Sequence, residues 1–131
     1  MAVLAEINKA FRLKIATITS YYCAFENESY KPKEGEPYLR SWFLPAGVRP
    51  VSIDYDDAVD DYTGLFQVNV YAPENEGTAL SNTICEAVES LFKRGTVLSC
   101  AVIDRQPERG TGRNQGGWWV IPISIYYRAI T

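Results

Sequence analysis

The feature that most restricts the fold is an alternating row of large apolar residues near the C-terminus. Between Trp118 and Arg128, the residues Trp119, Ile121, Ile123, Ile125 and Tyr127 occupy every second position, the longest such row in the chain. Side chains alternate faces along a strand, so the segment reads as a β-strand with one face against a core. Pro122 lies inside it and has no N–H, which predicts an edge strand or a local bulge at that point. A second alternating run, Tyr62–Tyr71, sends Phe66, Val68 and Val70 one way and Gln67 and Asn69 the other. Gly64, near its start, predicts a bulge or a close backbone approach.

These strands need partners and a cover. Leu4, Ile7, Phe11, Ile15 and Ile18 fall on one helical stripe and predict an amphipathic helix over 3–18. Leu80, Ile84, Val88 and Leu91 predict a second over 78–94, with Thr78 as N-cap and Lys93-Arg94-Gly95 as the stop. Shorter strands are expected at Tyr22–Glu26, at Tyr38–Leu44 and at Thr96–Ile103, the second ended by Pro45-Ala46-Gly47. Residues 27–37, 48–61 and 104–117 read as loops, with a short extended piece at Val51–Ile53. The order is helix, three strands, helix, two strands. It predicts one α+β domain over residues 1–131, a mainly antiparallel sheet with two helices packed on one face.

Composition excludes several classes of function. Hydrophobic residues make up 47% and charged residues 22%, ordinary values for a folded soluble domain. The net charge of −3 argues against wrapping nucleic acid, which requires clustered Lys and Arg. No apolar run approaches the ~20 residues that cross a bilayer, so no membrane is expected. The first residues meet Glu6 too early for a signal peptide. Cys23, Cys85 and Cys100 are odd in number and widely spaced, which suits buried thiols in a reducing cytoplasm. The chain has no histidine, so a triad or dyad lacks its usual base. Neither catalysis nor a cofactor is expected.

Three features nevertheless invite a role. Asp54, Asp56, Asp57, Asp60 and Asp61 crowd one loop. An EF-hand reading started at Asp54 puts Val59 at the turn glycine and Leu65 at the final glutamate, and fails. The loop reads as a solvated acidic segment or one that meets basic residues on a neighbour; two of its carboxylates pinching a divalent ion is a further alternative. The segment 104–117 carries Arg105, Arg109 and Arg113 among glycines. It lacks the lysine and following helix of a phosphate loop, and reads as a long flexible hairpin loop able to dock. Trp118 and Trp119 must point to opposite faces, one toward the core and the other toward surface or interface, and Trp42 and Phe43 divide in the same way. Aromatic residues total 13%, which suits interfaces as well as a small core.

Several segments together carry a family resemblance. They are Phe25-Glu-Asn27, Tyr38–Ala46, Tyr62–Pro73, a helix ending Leu91-Phe92, and Gly117–Arg128. The chain resembles the tail-terminator family of long-tailed bacteriophages, small prophage tail-completion proteins included, over nearly its whole length. The resemblance implies a structural protein that closes a homo-hexameric ring on the head-proximal end of the tail tube. Such a ring stops tube polymerisation and offers a surface to the head–tail connector protein, with DNA only as passing cargo. It implies assembly in the bacterial host cytoplasm and residence in the virion tail. The family has no catalytic residues to carry over. The other readings are a different ring-forming neck or head-completion protein and a small ligand- or peptide-binding module.

Overall fold

The structure, a computed structural model, describes residues 3–51 and 59–130. Helix α1 (Val3–Ile15) buries Val3, Ile7, Phe11 and Ile15 on one stripe. It ends before Ile18 because the chain tightens there: the Thr17 and Ile18 amides donate to Lys14 and Ile15, and Thr17 Oγ1 donates to the Lys14 carbonyl at 2.7 Å. Helix α2 (Ala79–Leu91) buries Ser81, Ile84, Cys85 and Val88. Thr78 occupies its N-cap position, yet its side chain makes no capping bond.

The strands are β1 (Tyr22–Phe25), β2 (Tyr38–Pro50), β3 (Asp60–Pro73), β4 (Val97–Leu98), β5 (Ala101–Ile103), β6 (Glu108–Arg109), β7 (Arg113–Gln115) and β8 (Trp118–Ile130). They form one eight-stranded sheet in the order β1-β2-β3-β8-β5-β4, with β6 and β7 also paired to β8. The expectation of a mainly antiparallel sheet is corrected: the chain is α+β but mostly β, and its curled sheet is mixed. β1 runs parallel to β2, from Tyr22 opposite Tyr38 to Phe25 opposite Ser41. A parallel pair needs a connection of about a dozen residues. Residues 26–37, of which 27–37 read from sequence only as a loop, return the chain to the start of β2.

Other boundaries moved for identifiable reasons. β2 was expected to stop at Pro45, yet it pairs with β3 to Pro50, with a register shift between Pro45 and Gly47. The Phe43 amide points away from β3, donating to Glu26 Oε1 at 3.0 Å. Two residues on, Pro45 therefore places its missing N–H on the same outer side, where no ladder bond is lost. The Thr96–Ile103 strand is instead the β4–β5 hairpin, turned by Ser99 at φ 58°. The 104–117 loop contributes β6 and β7, and β7 joins β8 through Gly116 (φ 56°) and Gly117 (φ 87°). Both left-handed positions are what a two-residue hairpin turn demands.

Pro122 fits neither expectation, because β8 is an interior strand whose register against β3 is unbroken. Its carbonyl accepts from the Gly110 amide at 2.8 Å. Its nitrogen faces that same side, where the neighbouring edge is interrupted between β6 and β7. The proline is tolerated because its ladder partner is broken there, not because β8 is an edge.

One face of the sheet and both helices enclose the main core. Phe11 stacks on Phe66 with ring centroids 3.8 Å apart and also on Phe92 at 5.0 Å. Val68, Val70, Ile121, Ile123 and Ile125 complete the buried floor. The backbone of β3 is drawn close at Gly64, where a Cβ would lie 2.6 Å from Tyr127 Oη and 2.8 Å from the Leu44 carbonyl. A smaller cluster of Tyr38, Tyr71 and Val120 lies on the opposite, helix-free face, against Tyr30 and Trp118.

Candidate interaction surfaces

The helix-free face is built by the even positions of β8 and their partners. Leu44, Leu65 and Tyr126 lie opposite one another across β2, β3 and β8. Leu44 is 45% exposed, and Leu65 and Tyr126 are half-buried. Trp42 stands one step along the same face, half-buried, opposite Gln67. A polar strip follows, in which Ser124 Oγ donates to Gln67 Oε1 at 3.2 Å and Gln67 Nε2 donates to Asn69 Oδ1 at 3.1 Å. At the far end Trp118 meets Tyr38 edge-on (5.2 Å, 88°), and Tyr38 stacks on Tyr71 at 4.5 Å. Trp119 takes the helix side, packs on the main core and leaves its buried Nε1 without a partner. The two tryptophans thus divide as alternation predicts.

The aspartates divide as well. Asp54, Asp56 and Asp57 lie outside the described residues, as does most of the extended piece expected at Val51–Ile53. Asp60 and Asp61 are not loop residues but open β3. Asp61 is buried and grips Arg128, with Nε to Oδ1 at 3.0 Å and Nη2 to Oδ2 at 2.9 Å. This fork-to-fork pair explains how a carboxylate tolerates burial. Sequence reasoning passed over Arg128, because the register that aligns it with residues near Asp61 is a tertiary fact.

The arginines are mostly engaged within the chain. Arg109 reaches α2, donating to Glu89 at 2.9 and 2.6 Å and to Asn82 Oδ1 at 3.1 Å. The Glu89 carboxylate holds its guanidinium above the usual arginine range. Arg105 lies 4.1 Å over the Tyr126 ring and pairs with Asp104 at 3.6 Å and Glu108 at 4.0 Å. Arg113 is exposed, and its Nε donates only to Gln115, at 3.3 Å. The segment is strand-paired at β6 and β7, Arg105 and Arg109 are held within the chain while Arg113 is left exposed, and the structure does not bring these arginines to Asp60 or Asp61.

Two grooves flank these surfaces. One of about 690 Å³ lies between the proline-rich 31–37 segment, the end of β3 and the β7–β8 turn; Pro32, Glu34, Glu74, Glu76 and Trp118 are among its lining. A smaller one of about 410 Å³ runs along α1 beside Ala5, Lys9, Arg12 and Leu13. Sequence inspection had no means of finding the first, because its walls come from segments about forty residues apart.

Burial pushes the Cys23 and Cys85 thiols up to about 11, which keeps both protonated and weakly nucleophilic near neutral pH. No group of three or more Cys, Asp or Glu is placed to hold a metal ion among the described residues. No helix among them is long and apolar enough to cross a membrane.

A family model described as phage tail terminator protein matches residues 6–127. A solved structure 23% identical in sequence superposes with a TM-score of 0.68, over 93% of this chain and 94% of that one. That likeness concerns the fold. No curated protein matches the chain.

Proposed function

The chain belongs to the phage tail-terminator protein family, a structural family, and from that premise we propose that it is a non-enzymatic component of the virion tail that forms a hexameric ring. The ring caps the tail tube at its head-proximal end, stops further tube growth and presents a surface to the head–tail connector, while DNA passes through as cargo. Assembly takes place in the host cytoplasm. The observation that carries this reading is the family match over residues 6–127, which spans most of α1, all of α2 and nearly all of the sheet.

The physical reading supports a protein whose work is contact. Its helix-free face keeps Trp42, Leu44, Leu65 and Tyr126 uncovered or half-covered, more apolar surface than a solvated sheet face needs. Trp42, Trp118, Arg105 and Arg113 are proposed as contact residues, together with Asp60 and the aspartates at 54, 56 and 57. Arg109 and Asp61 contribute through the ion pairs that fix β6 to α2 and β3 to β8. The test uses tail tubes assembled with and without the purified protein. Tubes should stop lengthening and show a ring at one end by electron microscopy. Unchanged length distributions with no end-bound ring would overturn the proposal.

A further inference from the structure

The edges of the sheet narrow the ways in which copies of this chain can join. β1, β4, β6 and β7 are four, two, two and three residues long. The longer outer edge of β2 beyond Ser41 is interrupted by proline. Pro45 faces outward, as shown above. The Val51 amide donates inward to the Val59 carbonyl, so Pro50 also turns its missing N–H outward. Short strands and outward prolines are devices that prevent edge-to-edge pairing. Contacts between copies therefore fall to side-chain surfaces.

Two such surfaces have matching chemistry. The groove at the end of the sheet is floored by Trp118, walled by Pro32 and Pro73 and rimmed by Glu34, Glu74 and Glu76, with Lys31 the one basic side chain in its lining. Among the described residues, no ion pair includes any of those three glutamates. The outer stripe of α1 presents Leu13, 63% exposed, with Lys9 one turn before it; Arg12 beside it is already paired with Glu28 at 3.2 Å and lies over the Phe25 ring. Lys9 and Lys14 also enter no ion pair among the described residues. An apolar knob flanked by cations suits an apolar floor with a carboxylate rim, and a cation over an indole adds attraction.

We propose that the Trp118 groove of one copy receives the Lys9–Leu13 stripe of α1 from the next copy. Each patch placed against itself would set carboxylate on carboxylate or ammonium on ammonium. Between these two patches the complementary pairing is groove to helix, which is heterologous, and a heterologous contact whose rotation closes builds a ring. The inference rests on the ring reading above and names the contact that builds it.

The test is a charge exchange. One variant carries Glu34→Lys, Glu74→Lys and Glu76→Lys; a second carries Lys9→Glu and Lys14→Glu; a third carries all five changes. Association of each is followed by light scattering and by end-capping of tail tubes, and thermal melting confirms folding. The first two variants should each associate at least about tenfold more weakly than the parent. The five-fold variant should recover, and an equimolar mixture of the first two should co-assemble although neither does alone. Single-patch variants that assemble like the parent would overturn the groove contact, as would a folded five-fold variant that fails to recover. If the parent itself neither forms rings nor caps tubes, the ring reading falls and this contact falls with it.

Discussion

The two faces of β8 share one backbone and have opposite environments. Ile121, Ile123, Ile125 and Tyr127 turn toward the helices and are at most 5% exposed. Ser124, Tyr126 and Arg128, between and beyond them, turn away and stay half-buried or exposed. The helix side is closed by stacked aromatic rings from α1, β3 and the end of α2. Among the described residues, the other side is covered at one end by Tyr30 and Trp118 against Tyr38, Tyr71 and Val120, and Arg105 lies over the Tyr126 ring. Stability is concentrated where apolar area leaves water, and the capacity for contact is left where it does not. The contrast is open to direct measurement.

Phe66→Ala removes the ring at the centre of the helix side, stacked on Phe11 and near Phe43 and Tyr127. It should cost about 3–5 kcal/mol, read as a large fall in the denaturant midpoint. A loss below 1 kcal/mol would mean that the helix side is not the stabilising face. A smaller effect is expected where the arginine segment meets α2. Arg109→Ala removes the half-buried pair with Glu89 and should cost up to about 1 kcal/mol. Arg113→Ala, which breaks no ion pair, should leave the melting temperature unchanged. A small effect on stability is likewise expected on the open face. Leu44→Ser with Leu65→Ser should shift stability within about 0.5 kcal/mol per site, yet weaken capping of tail tubes. If those two changes unfold the protein, the open face is structural and the contrast between the faces is lost.

The arginine segment shows how far residue type leads and where it stops. Three arginines among glycines suggested an arm free to reach outward. Only Arg113 is placed in that way; Arg109 is held by Glu89 twenty residues earlier, a pairing that depends on how β6 lies across α2. The aspartate loop shows the same limit. Charge density marked Asp61 as solvated, and the alignment of β3 with β8 buried it against Arg128.

The sequence by itself determined the helices, the inward face of β3 and β8, the opposite directions of Trp118 and Trp119, and the family. Those properties follow from periodicity and local composition, which act within a few residues. Only the tertiary structure decided the parallel docking of β1, the passage of β2 through Pro45, the small strands β6 and β7, and the groove at Trp118. Each depends on backbone partners distant in the chain. Strand pairing is made by N–H and C=O groups that every residue but proline carries alike, so side-chain identity leaves it unwritten until the core closes and brings the edges together.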